Sequence, residues 1–164
     1  MASSNSNSTS SKWEYDVFLS FRGADTRSGF TDHLYSALSR EGIHTFRDAN
    51  EIHIGEEIGP ECLQGIEKSR FSIVILSKGY ASSPWCLDEL VHILRCRKEG
   101  HGVWPVFYDI DPSDVEEQKG SFEEAFAEHE KSFKDDMDKV EKWKDALREV
   151  SYLKGLDLRK HLDG

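Results

Sequence analysis

Cysteine is too sparse in this chain to staple it. Only Cys62, Cys86 and Cys96 occur among 164 residues, an odd number with no CxxC and no Cys/His ligand spacing. That excludes a disulfide scaffold or a zinc module and favours a reducing compartment. Long apolar runs are missing too: none approaches the ~20 residues a membrane helix needs. Residues 1–12, MASSNSNSTSSK, hold no apolar segment, so no signal peptide is recognisable, and Ala2 stands where myristoylation needs glycine. This stretch reads as a disordered tail. Positive charge is also short, with 21 basic against 31 acidic side chains and a net charge of −10. Such a chain repels phosphate backbones, so tight non-specific binding to nucleic acid is not expected. Neither a Walker loop nor GxGxxG is present, which excludes a dinucleotide held in the Rossmann manner. These absences predict a soluble protein, cytoplasmic or nucleocytoplasmic, with no membrane partner.

What is present fits one domain with its own core. The acidity is local: residues 113–149 carry 13 acidic and 7 basic side chains, so −6 of the −10 lies there. After the tail, apolar strands alternate with amphipathic helices. Strands are predicted at residues 15–21, 43–46, 71–76 and 103–108, with a short fifth at 155–158. Helices are predicted at 27–40, up to about 69, from 84 to about 97, at 121–134 and at 138–152. Residues 47–56 read as a long polar loop. The almost wholly apolar run Phe71 to Leu76 is expected to be a central parallel strand. Pro105 removes a ladder donor and argues against a central place for the fourth strand. Strand–helix alternation implies a parallel sheet covered on both faces.

One segment carries the chemistry: Ser82 to Leu90, SSPWCLDEL. Ser83 is a good N-cap and Pro84 occupies the first helical position, where proline is accepted. Leu87, Leu90, Val91 and Leu94 follow at core spacing. Trp85 and Glu89 stand one helical turn apart on the flank of that stripe. A carboxylate beside an indole at the mouth of a helix suits a small-molecule site. By spacing alone, the plainer reading of Glu89 is a solvated helix glutamate, while Trp85 reads equally as a packing aromatic.

With its surroundings this segment resembles the TIR (Toll/interleukin-1 receptor) domain of plant immune receptors. The matching blocks are Tyr15–Arg27 (YDVFLSFRGADTR), Thr31–Tyr35 (TDHLY), Gly42–Asp48 (GIHTFRD), Gly55–Ile58 (GEEI), Ser72–Ser77 (SIVILS), the Trp85 segment and Pro105–Val115 (PVFYDIDPSDV). They run in family order over residues 13–158. The resemblance implies a flavodoxin-like five-stranded parallel sheet of order 2-1-3-4-5. In that order the carboxyl ends of the first three strands converge at the switch point where such sheets bind ligands. Phe21-Arg22-Gly23, Phe46-Arg47-Asp48 and the segment from Ser77 to Trp85 meet there. TIR domains normally add a last helix, whereas only residues 159–164 follow the fifth strand here. Leu156 also stands where many relatives have tryptophan. The chain is then either a fragment of a larger receptor or a short TIR-only protein.

The resemblance further implies cleavage of NAD+ at the nicotinamide–ribose bond, with Glu89 as the catalytic residue and NAD+ as substrate rather than a tightly bound cofactor. Arg22, Gly23, Phe46, Arg47, Ser83, Trp85 and Cys86 are the implied substrate-binding set. Trp85 would stack on nicotinamide or adenine, and Arg22 and Arg47 would contact phosphates or the neighbouring loop. Their plainer reading is an ion pair with Asp25 or Asp48. Gly23 is expected to allow a close backbone approach or a positive φ. Asp32, His33 and Gly155 are the implied self-association set, through which other TIR domains would be partners. In related domains a neighbouring copy's loop helps complete the site. Asp32 stands where many relatives have serine.

Asp109, Asp111 and Asp114 suggest a metal loop, but a calcium loop needs glycine where Asp114 stands. Asp111 to Asp114 therefore reads as a turn and helix cap, and no metal site is expected. A phospho-accepting receiver domain of the same topology is excluded. It would need acidic residues after strand one and an aspartate after strand three, where Arg22-Gly23 and Ser77-Lys78 stand. The remaining alternative to the enzyme is a non-catalytic adaptor that acts only by TIR–TIR association.

Overall fold

The computed structural model describes residues 13–47 and 58–159. The serine-rich tail, Asp48, most of the polar loop and the residues after Arg159 lie outside that range, so the expectations about them do not bear on the described structure.

Five parallel strands form one sheet in the order β2-β1-β3-β4-β5. They are β1 (Tyr15–Ser20), β2 (Thr45–Phe46), β3 (Ser69–Leu76), β4 (Gly102–Tyr108) and β5 (Leu156–Leu158). The order is the one the family resemblance implies. β3 lies at the centre because Ile75, Val74 and Leu76 present apolar side chains to both faces and all three are fully buried. The register places Ser20 of β1 opposite Val74, at the carboxyl end of the ladder.

Pro105 lies inside a strand that has neighbours on both sides, contrary to the expectation from its missing donor. The reason lies in the register. Pro105 pairs with Val74 of β3, whereas pairing with β5 starts only at Val106. The proline therefore sits where β4 has a single partner. Gly155 packs there, and a Cβ on it would collide with the Pro105 carbonyl oxygen. The glycine character of Gly155 is thus used inside the domain.

The helices are α1 (Gly23–Thr26), α2 (Asp32–Arg40), α3 (Pro60–Glu67), α4 (Pro84–Arg97), α5 (Pro112–Glu117), α6 (Ser121–Ser132) and α7 (Met137–Ser151). A π turn, Arg27–Thr31, joins α1 to α2, so helical structure begins four residues earlier than the apolar stripe suggests. Gly23 opens α1, and it is not among the positive-φ glycines Gly42, Gly100 and Gly120. Asp111 caps α5, as its spacing predicts, by accepting from the Ser113 backbone N–H at 2.9 Å. That bond and one from the Ser113 hydroxyl hold its carboxyl below the usual range.

α4 is the best buried helix. Leu87, Leu90, Ile93 and Leu94 are all inside, each contributing roughly 1.5–3 kcal/mol. On the opposite sheet face, Phe71, Trp104 and Leu156 are exposed. The register puts all three on one side, because Ile73 pairs with Trp104 and Val106 with Leu156.

Candidate active site

The site is assembled at the carboxyl end of β1, beside β3, where the chain reverses its winding direction. In open sheets of this kind ligands bind at that point. A 3-10 turn, Tyr80–Ser82, leads from β3 into α4. Ser83 then leaves helical geometry and its hydroxyl accepts from the Cys86 backbone N–H at 3.1 Å. Pro84 fills the first helical position. This cap fixes where α4 begins and hence where Trp85 and Glu89 point.

Glu89 does not point into solvent: it is 4% exposed. Ser20 donates its hydroxyl hydrogen to Oε1 at 2.7 Å, and the Trp85 indole donates to Oε2 at 3.0 Å. Behind Ser20 stands Tyr80, whose hydroxyl lies 2.8 Å from Ser20 Oγ and donates to the Cys86 carbonyl at 3.1 Å. Burial pushes the Tyr80 phenol well above its usual range, and the neighbouring Cys86 and Glu89 add to that, so it remains a donor. Trp85 is 9% exposed and its ring lies against Gly59, where a Cβ would sit 3.5 Å away. A carboxylate this deep is costly unless donors surround it, and here they do.

The remaining expected site residues are placed less uniformly. Cys86 is buried and its thiol donates to the Phe21 carbonyl at 3.5 Å. It ties α4 to the segment after β1 rather than facing the crevice. Burial pushes the thiol far above its usual range, with the Glu89 charge adding to the effect, so it is no nucleophile. Arg22 pairs with Asp25 at 3.1 Å, and Asp25 also accepts from Ser77 Oγ at 2.5 Å and the Gly79 N–H at 2.8 Å. This joins the segments following β1 and β3. Phe46 stacks on Phe18 with ring centroids 5.3 Å apart and covers Gly65, which makes it a packing residue. Arg47 turns towards α2: it pairs with Asp32 at 2.7 Å and its guanidinium lies 4.1 Å from the Tyr35 ring centroid. His33 is exposed on α2.

Sequence reasoning missed Ser20 and Tyr80. Tyr80 had one readable signal, a large aromatic within the small-residue turn from Gly79 to Ser83. Its hydroxyl needs a partner once buried.

Among the described residues no group of three His, Cys, Asp or Glu could hold a metal. No described helix is long and apolar enough to cross a membrane. A cavity of about 480 Å³ lies at the ends of β4 and β5, lined by Lys78, Asp109, Asp111, Asp114 and Arg159 among others. Neither Glu89 nor Trp85 borders it.

The sheet order defines a doubly wound α/β domain, with the capped helix and the carboxylate–indole pair at its switch point. The chain belongs to the TIR domain family, whose model matches residues 14–163. It is 57% identical over 145 residues to Disease resistance protein RPV1 of Vitis rotundifolia, covering 88% of this chain and 10% of that protein. It is 51% identical over 151 residues to TMV resistance protein N of Nicotiana glutinosa, covering 92% of this chain and 13% of that one. The chain therefore spans about a tenth of the length of these curated relatives. Among solved structures it is similar to the TIR domains of the activated Roq1 resistosome directly recognizing the pathogen effector XopQ. The TM-score is 0.83 and the identity 49%, over 92% of both chains.

Proposed function

We propose that this TIR domain cleaves NAD+ at the nicotinamide–ribose bond in plant immune signalling, with Glu89 as its catalytic residue. The observation that carries this is the buried Glu89 carboxylate, held by Ser20 and Trp85 at the carboxyl end of β1. The fold does not need a charge there, since an apolar residue would pack at lower cost. Association alone, the adaptor reading, would need neither the carboxylate nor its donors.

The chemistry suits a single carboxylate. Glycosidases usually add a general acid because their leaving oxygen must be protonated. Nicotinamide leaves a pyridinium as a neutral base and needs no proton. What remains is to stabilise the positive charge that grows on the ribose and to orient its hydroxyls. A single carboxylate beside the ribose can do both. The Trp85 ring beside it offers a face for nicotinamide or adenine, and Arg22, in the segment after β1, offers a cation for a phosphate. Water then adds to the ribose carbon and gives up a proton, so the products are nicotinamide and an ADP-ribose-type nucleotide.

Glu89 and Trp85 are nearly closed to solvent, so substrate reaches them only when their cover shifts. We assign that shift to association with a further TIR domain, through α2 and the Asp32–His33 surface. The assembled resistosome that holds the similar TIR domains supports this.

The test is purified, concentrated protein with NAD+, followed by nicotinamide release. Glu89→Gln should lower release by about 10²–10³-fold while circular dichroism stays native. Unchanged release in that variant would overturn the assignment of Glu89.

A further inference from the structure

Ser20 ends β1 with its side chain fully buried, and Tyr80 is buried just as completely. Neither is required by the sheet. Ser20 follows the buried Phe18 and Leu19 in a core position where an apolar side chain would cost less. It spends its hydroxyl on Glu89 Oε1 at 2.7 Å, and Tyr80 backs it at 2.8 Å.

Counting hydrogens shows what the pair can do. Three contacts, Glu89–Ser20, Ser20–Tyr80 and Tyr80–Cys86 carbonyl, are served by two hydroxyl hydrogens. With Glu89 ionised, the Ser20 hydrogen lies on the carboxylate and the Tyr80 hydrogen is shared between Ser20 Oγ and the Cys86 carbonyl. With Glu89 protonated, the chain reverses, and Glu89, Ser20 and Tyr80 each donate onward with one hydrogen per contact. The network serves both charge states, but unequally. A hydrogen bond to an ionised oxygen is roughly twice as strong as one between neutral groups.

We propose that Ser20, backed by Tyr80, is a positioning residue for Glu89 that fixes the carboxylate at the end of β1 and favours its ionised form. The catalytic part of this rests on the NAD-cleaving reading above; the electrostatic part does not. Among the described residues, the Tyr80 phenol and the Cys86 thiol face the carboxylate, and burial holds both protonated. Arg22 and Asp25 act on Cys86 with opposite signs. Asp88 of the same helix is held by Trp143.

Ser20→Ala and Tyr80→Phe each remove one oxygen and leave the packing otherwise filled. The protonation midpoint of Glu89 is read by 13C NMR of its carboxyl carbon, assigned against Glu89→Gln. The pH profile of nicotinamide release is read beside it. In Ser20→Ala the midpoint should rise by about one pH unit, the worth of one hydrogen bond to a charged group, and in Tyr80→Phe by less. The acid limb of release should move the same way, and kcat at neutral pH should fall about tenfold with KM unchanged. An unmoved midpoint in both variants overturns the proposal, even if kcat falls, because a merely structural loss leaves the titration alone. If Ser20→Ala fails to fold, Tyr80→Phe decides by the same midpoint. Should wild type release no nicotinamide while the midpoints move as expected, the network stands and the NAD reading falls.

Discussion

The Trp143 indole on α7 donates to Asp88 Oδ1 on α4 at 3.0 Å, one residue before the buried Glu89. A second tie lies close by. His129 of α6 contacts the Ala81 carbonyl through Nε2 at 2.7 Å, in the turn just ahead of the Ser83 cap. His129 and Trp143 also pack edge to face, with ring centroids 5.0 Å apart. The acidic helices α6 and α7 thus brace the site segment on both sides of its cap, through one buried aromatic cluster.

Trp143→Phe tests that brace. The ring volume is largely kept, but the N–H is lost and half-buried Asp88 loses a donor. Stability in urea should fall by about 1.5–3 kcal/mol, the worth of a hydrogen bond to a charged group. Nicotinamide release should fall several-fold at fixed protein concentration. Unfolding midpoint and release both equal to wild type would show that α7 does not hold α4.

Cys86 provides a chemical readout of burial. Its thiol lies far above its usual range because burial disfavours the thiolate, so at pH 8 it stays protonated. The thiolate is the reactive form. Alkylation of Cys86 in the native protein at pH 8 should be more than about a hundredfold slower than in the unfolded chain. Peptide mass mapping after timed iodoacetamide exposure measures this, and native labelling at the unfolded rate would contradict a buried Cys86.

How much was legible in the sequence follows from which forces are local. The run Phe71 to Leu76 announces a doubly covered strand because both faces need apolar residues. The Ser83–Pro84 cap announces the start of α4 because capping is decided within four residues. Glu89 stood out because a helical turn links it to Trp85. Ser20 and Tyr80 did not, since their contacts join positions 60 and 69 residues apart. A lone serine in an apolar strand reveals nothing of its partner. Arg47 was assigned to the crevice from its loop, yet it turns to Asp32 and Tyr35, a choice of side that only the packing of α2 decides. The place of Pro105 likewise depended on where β5 begins its pairing, which no local pattern encodes.

Release should rise faster than linearly with protein concentration. Glu89 is 4% and Trp85 9% exposed, so the lone domain presents its site closed. If association shifts the cover, the active fraction grows with the associated fraction. Specific activity measured over two decades of concentration checks this, and a flat line would mean that the monomer opens by itself.

His33→Ala should weaken self-association without unfolding the domain. His33 is exposed on α2, so its loss opens no cavity, and such substitutions usually change stability by no more than ~0.5 kcal/mol. Its neighbour Asp32 is engaged by Arg47 at 2.7 Å, which leaves His33 as the freer side chain for a contact between copies. In a two-fold contact each partner supplies the same patch, so one substitution removes the residue from both sides. The Asp32–Arg47 pair is half exposed and worth only about 0.2–1 kcal/mol. Asp32→Asn should therefore disturb the oligomer less than His33→Ala if His33 carries the contact. Sedimentation velocity at matched concentrations reads both variants. Identical distributions for wild type and His33→Ala would remove α2 from the interface, and an equal rate of nicotinamide release would remove it from activation as well.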